Sequence, residues 1–283
     1  MIGDDGSTDG SYELIQSKYG KNENIKIYRM ARDNSIKEFS NWRHSRLIWF
    51  LLKEARGQYI SILDGDDYYC SEDGFKRKIG ILELKDNKDC IACTSATVFK
   101  EMSEKSYSKI PDSLIYKKVT LEQVFFMKEH YYFHIASCVF RNSVLEYADF
   151  NTPELNGADQ SILYFILHYG KLYVTPEYDF AYRILPNSIW HKGNDAEHAL
   201  RLAIGFNITR KKYDDFYFKR LWMDRKSLLY VYRNNRLVEK QVDWEMWEGF
   251  LEKYNLEIVK WLMGDRKVSS KVKIGKHQIL RLG

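Results

Sequence analysis

The sequence predicts an α/β protein with a Rossmann-like mixed sheet flanked by helices, followed by a mainly helical C-terminal extension. Two observations predict the sheet domain: strand-like and helix-like patterns alternate through the first 100 residues, and apolar residues make up 45% of the chain. Such alternation is typical of a mostly parallel sheet with helices on its faces. A third observation predicts the extension, because the chain after about residue 195 combines helical spacing with many aromatic side chains.

Six elements are predicted in the first half of the chain. Helical spacing of apolar residues predicts three helices, at 11–19, 38–55 and 71–83. Alternating or continuous apolar runs predict three strands, at 24–30, 59–63 and 89–99. In the third helix we expect Ser71 to be the N-cap and Phe75, Ile79 and Leu82 to share one face.

The second half of the chain has longer irregular segments. The segment 103–118 is polar and is predicted to be a loop. Helices are predicted at 121–128 and 157–169, and strands at 134–141 and 171–174.

Composition and charge exclude several classes of protein. The net charge of +5 is modest and no basic arm is present, so nucleic acid is not an expected partner. No run of about 18 apolar residues predicts a transmembrane helix, and the first residues lack the pattern of a signal peptide. Four cysteines do not make a disulfide framework, and Cys90 and Cys93 are expected to be buried thiols. We therefore expect a cytoplasmic protein.

An acidic cluster follows the second predicted strand. Asp64 and Asp66 are separated by Gly65, so they project to one side of an extended chain, and Asp67 adds a third carboxylate. Crowded carboxylates repel one another, and Mg²⁺ or Mn²⁺ is the simplest counter-charge because it takes oxygen ligands together with substrate phosphates. Taken alone, the cluster is equally compatible with a solvated turn that carries capping aspartates.

A second acidic cluster lies at the start of the chain. Asp4 and Asp5 precede the first predicted helix. Ligands of open α/β sheets bind at the carboxyl ends of the strands. One strand–helix–strand–helix passage separates the two clusters, so we expect them at the same edge of the sheet, where together they favour a ligand site.

Residues 1–190 carry a resemblance to a known family. The segment DDGSTDGS, the later ARGQYISILDGDD and the following YYCSEDGFKRKIGILE resemble the family-two glycosyltransferases with the GT-A fold, above all bacterial members that make surface glycans. The resemblance implies a GT-A nucleotide-diphospho-sugar transferase fold. It implies that Asp4 and Asp5 bind the nucleotide sugar, with Asp5 at the nucleotide base. Asp64 would lie near the ribose, Asp66 would bind the metal, and Asp67 would have a supporting role.

A carboxylate in the second half of the chain is the expected general base. An inverting transfer needs such a group to take the proton of the acceptor hydroxyl. Family members carry it at the start of a helix, in patterns such as GDxxL, and the segment NGADQSIL has Asp159 at the matching position. A carboxylate at a helix start also interacts favourably with the helix dipole alone, so both interpretations stay open.

A basic residue between the two clusters is expected to contact the donor diphosphate, because the family often has one there. Arg32, Arg43 and Arg46 all lie in this stretch, and Arg46 is our candidate. A solvated helix face explains Arg43 and Arg46 equally well, so the choice stays open.

The segment AYRILPNSIWH resembles the family's segment on the acceptor side. It makes Arg183, Trp190 and His191 candidates for contact with the acceptor or the diphosphate, although a surface or core role explains them equally well. His130 and His134 are four residues apart, but we expect them to straddle a helix–strand boundary rather than to form a metal pair.

The resemblance implies three regions: a nucleotide-sugar-binding half at 1–100, an acceptor-binding half at 101–195 and the helical extension at 196–283. Family members carry a further strand and helix before the DDGSTD segment, whereas only Met1, Ile2 and Gly3 precede it here. We therefore expect an N-terminally truncated gene model in which Met1 is an internal methionine.

The predicted function is metal-dependent, inverting transfer of a sugar from a nucleotide-diphosphate donor, a UDP-sugar, to a glycan or lipid-linked glycan. The process would be bacterial surface polysaccharide synthesis, with Mn²⁺ or Mg²⁺ as the cofactor. Two alternatives stay open. One is a catalytically impaired GT-A fragment that acts as a binding or scaffold subunit. The other, a nucleotidyltransferase or another nucleotide-binding α/β enzyme, is disfavoured because neither GxxxxGK nor GxGxxG occurs.

The aromatic extension has two interpretations. Ordinary packing, in a core or at the surface of a homodimer, is the simpler one. Its Trp, Tyr, Lys and Arg residues also suit a membrane interface. That second interpretation would locate the protein peripherally at the inner face of the plasma membrane, close to a lipid-linked acceptor.

Overall fold

The computed structural model of the protein describes residues 1–32, 40–101, 104–126, 133–150 and 159–185. The chain divides into two compact units: a front unit that includes residues 2–44, and a sheet unit that comprises residues 45–191. The predicted helical extension at 196–283 lies outside the described residues, and the predicted functional division at residues 100 and 195 stays a prediction. No helix within the described part of the chain is both long and apolar enough to span a membrane.

The described part of the front unit contains two short strands, one complete helix and the first residues of a second helix. β1 (Ile2–Asp4) and β2 (Ile27–Arg29) form a parallel ladder in which Asp4 is opposite Arg29. Between them in sequence, α1 (Ser11–Tyr19) coincides with the predicted helix. The first predicted helix and strand are therefore confirmed, with the strand shorter than expected.

The sheet unit is built on a mixed, seven-stranded sheet. In spatial order, the five strands of its main path are β3 (Tyr59–Ile60), β8 (Val139–Arg141), β5 (Cys90–Glu101), β9 (Lys171–Ile184) and β4 (Tyr68–Tyr69). Two further strands, β6 (Glu104–Tyr107) and β7 (Lys118–Val119), pair with β5 and β9. β5 and β9 are parallel, whereas the other described pairings of this sheet are antiparallel. The predicted mixed sheet is confirmed.

The two long strands form the centre of the sheet. The segment CIACTSATV at the start of β5 is a continuous run of apolar and small residues, and all of them are buried. Such a run is expected for a strand that is covered on both faces. Cys90 and Cys93 are free thiols within this buried run, as the sequence predicts.

Helices cover the sheet with their apolar faces. α2 (Ser40–Glu54) and α5 (Asp159–Leu167) correspond to predicted helices, and so does the short α4 (Leu121–Phe126). Trp49 of α2 contacts the ring of Phe165 in α5 edge-on, with the ring centroids 5.7 Å apart. Both side chains are almost fully buried, so this contact is part of the core of the sheet unit.

The third helix, α3 (Gly74–Glu83), differs from its prediction in its start and its buried face. It begins at Gly74, and Asp73 rather than Ser71 occupies the N-cap position, without a side-chain capping bond. Of the residues that were predicted to share one face of this helix, Leu82 is buried, whereas Phe75 is 38% exposed.

A buried ion pair explains the rotation of α3. The Nζ of Lys78 lies 3.1 Å from Oδ2 of Asp179 in β9, and both side chains are almost completely buried. A Cβ atom at Gly74 would lie 2.9 Å from Cγ of Asp179, so the helix approaches β9 closely at this glycine. Arg77 also pairs with Asp179. Charge pairing with β9 therefore orients α3 more strongly than apolar spacing does.

Two more predictions need correction. The segment 103–118 contains β6, which forms a hairpin with β5; all four β6 residues are exposed, so no apolar alternation marks the strand. The predicted strand at 134–141 is a 3-10 turn (Ile135–Ser137) followed by β8, because His134 caps the turn by accepting the backbone N–H of Ala136. The predicted strand at 171–174 is confirmed, and it continues as β9 to Ile184 along the partner strand β5.

Candidate functional site

The front loop (residues 4–10) is shaped by its first aspartate. β1 ends at Asp4, whose Oδ1 accepts hydrogen bonds from the backbone N–H groups of Gly6 and Ser7, each at 3.1 Å. The Nε of Arg29 lies 3.6 Å from the same oxygen. Asp4 is only 5% exposed, so its carboxylate stabilises the loop from inside.

Gly6 allows the tight course of the front loop. Its φ of 90° lies in the left-handed region, which glycine adopts without strain. A Cβ atom here would lie 2.7 Å from Cγ of Arg32 and 2.9 Å from the carbonyl oxygen of Met30. Both the backbone conformation and the available space therefore require glycine.

Asp5 is half-buried and is paired with an arginine. Its Oδ2 lies 3.6 Å from Nε of Arg43. Of the three arginines considered for this region, Arg43 is thus the one found beside Asp5, while Arg32 packs over Gly6. Arg46 lies on the part of α2 that belongs to the sheet unit, and its contact with a diphosphate stays a prediction.

The strands that precede the two acidic clusters belong to different described ladders. β1 is part of a two-stranded ladder, and β3 is part of the seven-stranded sheet. β3 is two residues long, and its described partner is β8. A shared sheet edge is therefore not observed in the described ladders, and the proximity of the two clusters stays a prediction.

The acidic turn (residues 64–67) is fixed to β9 by its last two residues. The N–H of Asp67 donates to the carbonyl oxygen of Asp64 at 3.1 Å, which closes the turn. The Oδ1 of Asp67 accepts the backbone N–H of Arg183 at 2.9 Å, and Nε of Arg183 donates to the carbonyl oxygen of Asp66. Arg183, a predicted site residue, therefore supports the turn in the structure.

Burial makes the acidic turn electrostatically unusual. It raises the pKa of Asp67 to about 7; the hydrogen bond from Arg183 opposes this shift, and the neighbouring charges of Asp66 and Asp64 add to it. Asp67 is 7% exposed, and its Oδ2 has no hydrogen-bond partner among the described residues. One carboxylate oxygen of the turn is thus buried without a hydrogen bond from the described residues, next to the charges of Asp66 and Asp64.

Asp159 meets the acidic turn from the start of α5. A carboxylate oxygen of Asp159 and one of Asp64 lie within 4.8 Å of each other. The Oδ1 of Asp159 is buried and has no hydrogen-bond partner within the described ranges. Two carboxylates that are far apart in sequence, both predicted site residues, are therefore brought together.

His134 adjoins this group of carboxylates, and sequence reasoning did not include it among the site residues. Its Nδ1 accepts the N–H of Ala136 at 3.2 Å, so the neutral ring carries its proton on Nε2. The ring stacks on Phe180 with centroids 4.8 Å apart. Burial lowers the pKa of His134, and the charges of Asp159, Asp64 and Asp66 partly offset that effect. No sequence pattern marks this role, because it depends on the 3-10 turn that follows His134.

Tyr182 is the second residue that sequence reasoning missed. Its ring lies 5.3 Å from the His134 ring, measured between centroids. Burial raises the pKa of Tyr182 to about 12, and further contributions come from four nearby carboxylates, those of Asp67, Asp66, Asp159 and Asp64. The only available signal was its position before the candidate Arg183.

Three residues that the sequence singled out have no described position. They are His130 and the two acceptor-side candidates Trp190 and His191, all of which lie outside the described residues. The predicted contacts of Trp190 and His191 with the acceptor or the diphosphate therefore stay predictions.

The donor atoms around the acidic turn suit a divalent cation. Carboxylate oxygens are the ligands that Mg²⁺ and Mn²⁺ prefer, usually together with water and substrate phosphates. Buried oxygens of Asp67 and Asp159 lack hydrogen-bond partners among the described residues, and an oxygen of Asp64 approaches one of Asp159. The residues present therefore fit the cation that the sequence predicts.

The solved structures that are similar to the chain include two of S. aureus TarS. The crystal structure of S. aureus TarS matches at 15% identity and a TM-score of 0.43, over 79% of this chain and 41% of that chain. A crystal structure of S. aureus TarS 1-349 matches at 16% identity and a TM-score of 0.43, over 79% of this chain and 68% of that chain. The chain thus spans less than half the length of the first of these proteins. No curated protein matches the sequence.

The sequence also matches the family described as glycosyl transferase family 2, over residues 1–147. That range is more than half of the 283 residues, and it contains both the front loop and the acidic turn. Together with the mixed sheet flanked by helices, the match confirms the predicted α/β fold of the GT-A type. The chain belongs to glycosyl transferase family 2.

Proposed function

We propose that this chain is a metal-dependent, inverting glycosyltransferase that moves a sugar from a nucleotide-diphosphate donor, a UDP-sugar, to a glycan or lipid-linked glycan acceptor. One observation carries the proposal: in a family 2 chain, carboxylate oxygens of Asp64 and Asp159 lie within 4.8 Å of each other. Inverting transfer needs a cation-binding carboxylate and a basic carboxylate close to the same sugar.

Asp159 is the proposed general base. During the transfer, the bond from the sugar to the diphosphate breaks, the acceptor oxygen bonds to the sugar, and the acceptor proton passes to a carboxylate. The Oδ1 of Asp159 has no hydrogen-bond partner among the described residues, so it is able to accept that proton. Asp159 lies beyond the residues matched by the family, so its role is argued from the segment NGADQSIL and from its geometry.

Asp66, assisted by Asp64, is the proposed ligand of Mn²⁺ or Mg²⁺. A bound cation of this kind would stabilise the negative charge of the leaving nucleoside diphosphate. Arg183 supports the arrangement from the protein side, because it donates to the carbonyl oxygen of Asp66 and, through its backbone N–H, to Asp67. Its predicted contact with the diphosphate or the acceptor is part of this proposal.

The front loop is the proposed site of the nucleotide. Asp5 would accept hydrogen bonds from the nucleotide base, and its pairing with Arg43 supports a fixed carboxylate at that position. Asp4 would contribute indirectly, because its carboxylate already bonds the loop backbone. Arg46 is the proposed diphosphate contact, and Trp190 and His191 remain proposed acceptor-side residues.

The acceptor class and the cellular setting rest on the resemblance to bacterial enzymes of surface polysaccharide synthesis. This proposed acceptor class and cellular setting imply a cytoplasmic enzyme that reaches lipid-linked acceptors at the inner face of the plasma membrane. The aromatic extension at 196–283 would either bind that membrane or form a homodimer surface.

A donor screen tests the proposed function. The purified chain is incubated with UDP-, GDP- and dTDP-sugars, and release of the nucleoside diphosphate is measured with Mn²⁺, with Mg²⁺ and with EDTA. We expect hydrolysis or transfer with a UDP-sugar that EDTA abolishes and Mn²⁺ restores. Binding of nucleotide without any turnover would favour the impaired binding subunit instead, and turnover that is unaffected by EDTA would contradict the metal assignment.

A further inference from the structure

The position of Tyr182 is fixed by the strand that carries it. β9 is buried at Phe180 and Ala181, and it emerges beside the acidic turn, where Tyr182 is half-buried. The next residue, Arg183, bonds to Asp67 and to the carbonyl oxygen of Asp66. The backbone on which Tyr182 stands is therefore held to the acidic turn.

Two neighbouring rings limit the movement of the Tyr182 side chain. The His134 ring lies 5.3 Å away at an interplanar angle of 44°, and the Phe99 ring packs edge-on at 6.1 Å. His134 is itself stacked on the buried Phe180. A side chain that is packed in this way presents its hydroxyl in one direction at little further entropic cost.

Tyr182 adjoins the place where the two chemical halves of the site meet. Arg183, the next residue of β9, bonds to Asp67 and to the carbonyl oxygen of Asp66, and carboxylate oxygens of Asp64 and Asp159 lie within 4.8 Å of each other. The charges of these carboxylates also act on the Tyr182 hydroxyl. In the proposed reaction the transferred sugar must lie against both halves, because its anomeric carbon is bonded first to the diphosphate and then to the acceptor oxygen.

We propose that the Tyr182 hydroxyl donates a hydrogen bond to a hydroxyl group of the donor's transferred sugar and so contributes to the choice of sugar. A protonated phenol is well suited to this role, because the surrounding carboxylates supply acceptors only, whereas a sugar hydroxyl also needs a donor. The inference rests on the proposed function and deepens it. A site built around a substrate hydroxyl discriminates strongly against analogues that lack it.

Tyr182→Phe tests the proposal, because it removes the hydroxyl and leaves the packing. Tyr178→Phe is the matched control: it lies on the same strand, is 41% exposed, and its hydroxyl donates to the carbonyl oxygen of Ser108 at 3.1 Å. Dissociation constants for UDP and for the UDP-sugar selected by the donor screen are measured by calorimetry, and thermal melting checks that each variant is folded. We expect Tyr182→Phe to weaken the UDP-sugar about tenfold and to leave UDP unchanged. The control should change neither.

Monodeoxy analogues of the same donor provide a second measurement. For the analogue that lacks the bonded hydroxyl, wild type and Tyr182→Phe should have equal affinity. Unchanged affinity of Tyr182→Phe for the complete UDP-sugar would overturn the inference, and so would equal weakening of UDP and UDP-sugar, which would indicate a phosphate or nucleotide contact. A wild-type chain that binds neither UDP nor any nucleotide sugar would instead overturn the proposed function, and the inference with it.

Discussion

The front loop and the acidic turn both present neighbouring aspartates, but they compensate the negative charge in different ways. In the front loop, Asp4 bonds to two backbone N–H groups and lies beside Arg29, and Asp5 lies beside Arg43. In the acidic turn, Asp67 receives one backbone hydrogen bond, and its second oxygen has no hydrogen-bond partner among the described residues. The carboxylates of the front loop are thus paired within their own unit, whereas one oxygen of Asp67 has no hydrogen-bond partner in the part of the chain that is described.

This difference separates two kinds of binding. A carboxylate whose charge is already paired recognises a ligand by the direction of its hydrogen bonds, which is what a neutral nucleotide base requires. Crowded, buried carboxylates favour a ligand that brings positive charge, and a divalent cation does so. The contrast therefore supports the two roles proposed above, a hydrogen-bonded base at the front loop and a divalent cation at the acidic turn.

The largest loss of activity is expected from a substitution of Asp159, whose carboxylate lies close to that of Asp64 in the acidic turn. Asp159→Asn removes the proposed base while keeping the size of the side chain, and we expect turnover to fall about 10²- to 10⁴-fold. The affinity for UDP should change little, because the nucleotide is assigned to the front loop. Initial rates of transfer and calorimetric UDP binding measure the two quantities.

Asp112→Asn is the control for this substitution, because Asp112 is an exposed aspartate of the same unit. It should retain full turnover. If Asp159→Asn also keeps nearly full turnover, Asp159 is a helix-start carboxylate and the base lies elsewhere.

Local patterns in the sequence predicted the parts of the molecule that are stabilised locally. α1 was predicted to the residue, and the buried run of β5 was recognised from its continuous apolar character. The aspartates of both clusters were chosen from their grouping and from the family resemblance, whereas the structure closes residues 64–67 into a turn instead of the extended segment that we expected. Asp159 was chosen from a short motif, and the structure brings it close to Asp64.

The remaining features depend on contacts between distant segments, which local patterns do not encode. His134 and Tyr182 reach the site only because β9 runs alongside β5 for its whole length and a 3-10 turn replaces a predicted strand. The buried residues of α3 include Lys78, which apolar spacing does not predict, because Asp179 compensates its charge in the interior. A buried ion pair has no periodicity by which it could be recognised.

The second-largest effect is expected for the buried ion pair between Lys78 and Asp179, which anchors α3 to β9. Lys78→Met keeps the length of the side chain but leaves Asp179 with Arg77 as its remaining described partner. We expect a loss of about 2–3 kcal/mol in the free energy of unfolding, less than for a fully unpaired buried charge. Urea unfolding followed by circular dichroism measures it. Lys76→Met, at an exposed position on the same helix, should lose almost nothing, and equal losses in the two variants would refute the anchoring role.

A pair of glycine substitutions compares the two clusters directly. Gly6→Ala requires a left-handed alanine and a clash with the Met30 carbonyl oxygen, so we expect a destabilisation of about 1–3 kcal/mol and weaker UDP binding. Gly65→Ala has no atom within 4 Å of the new methyl group, and the stability should remain unchanged. Urea unfolding and UDP titration of both variants test this contrast. Equal stability of the two variants would show that the front loop is less constrained than its geometry indicates.

The smallest effect is the pH dependence of stability at Asp67. Its pKa is about 7 in the folded protein against an ordinary value of 3.8, so between these values the folded protein holds a proton that the unfolded chain has released. Stability therefore falls as pH rises through this window. Asp67→Asn cannot ionise, so its melting temperature relative to wild type should rise by several degrees from pH 4 to pH 8, measured in EDTA.

Asp89→Asn is the control with the opposite sign. Hydrogen bonds from Lys118 and Lys171 hold the pKa of Asp89 at about 2, so the stability that this carboxylate contributes is lost only as pH falls below its ordinary value. Its melting temperature relative to wild type should stay constant between pH 5 and pH 8. If the melting temperature of Asp67→Asn relative to wild type also stayed constant over that range, Asp67 would remain ionised in the folded protein. In that case the acidic turn would be compensated as completely as the front loop, and the contrast between the two clusters would disappear.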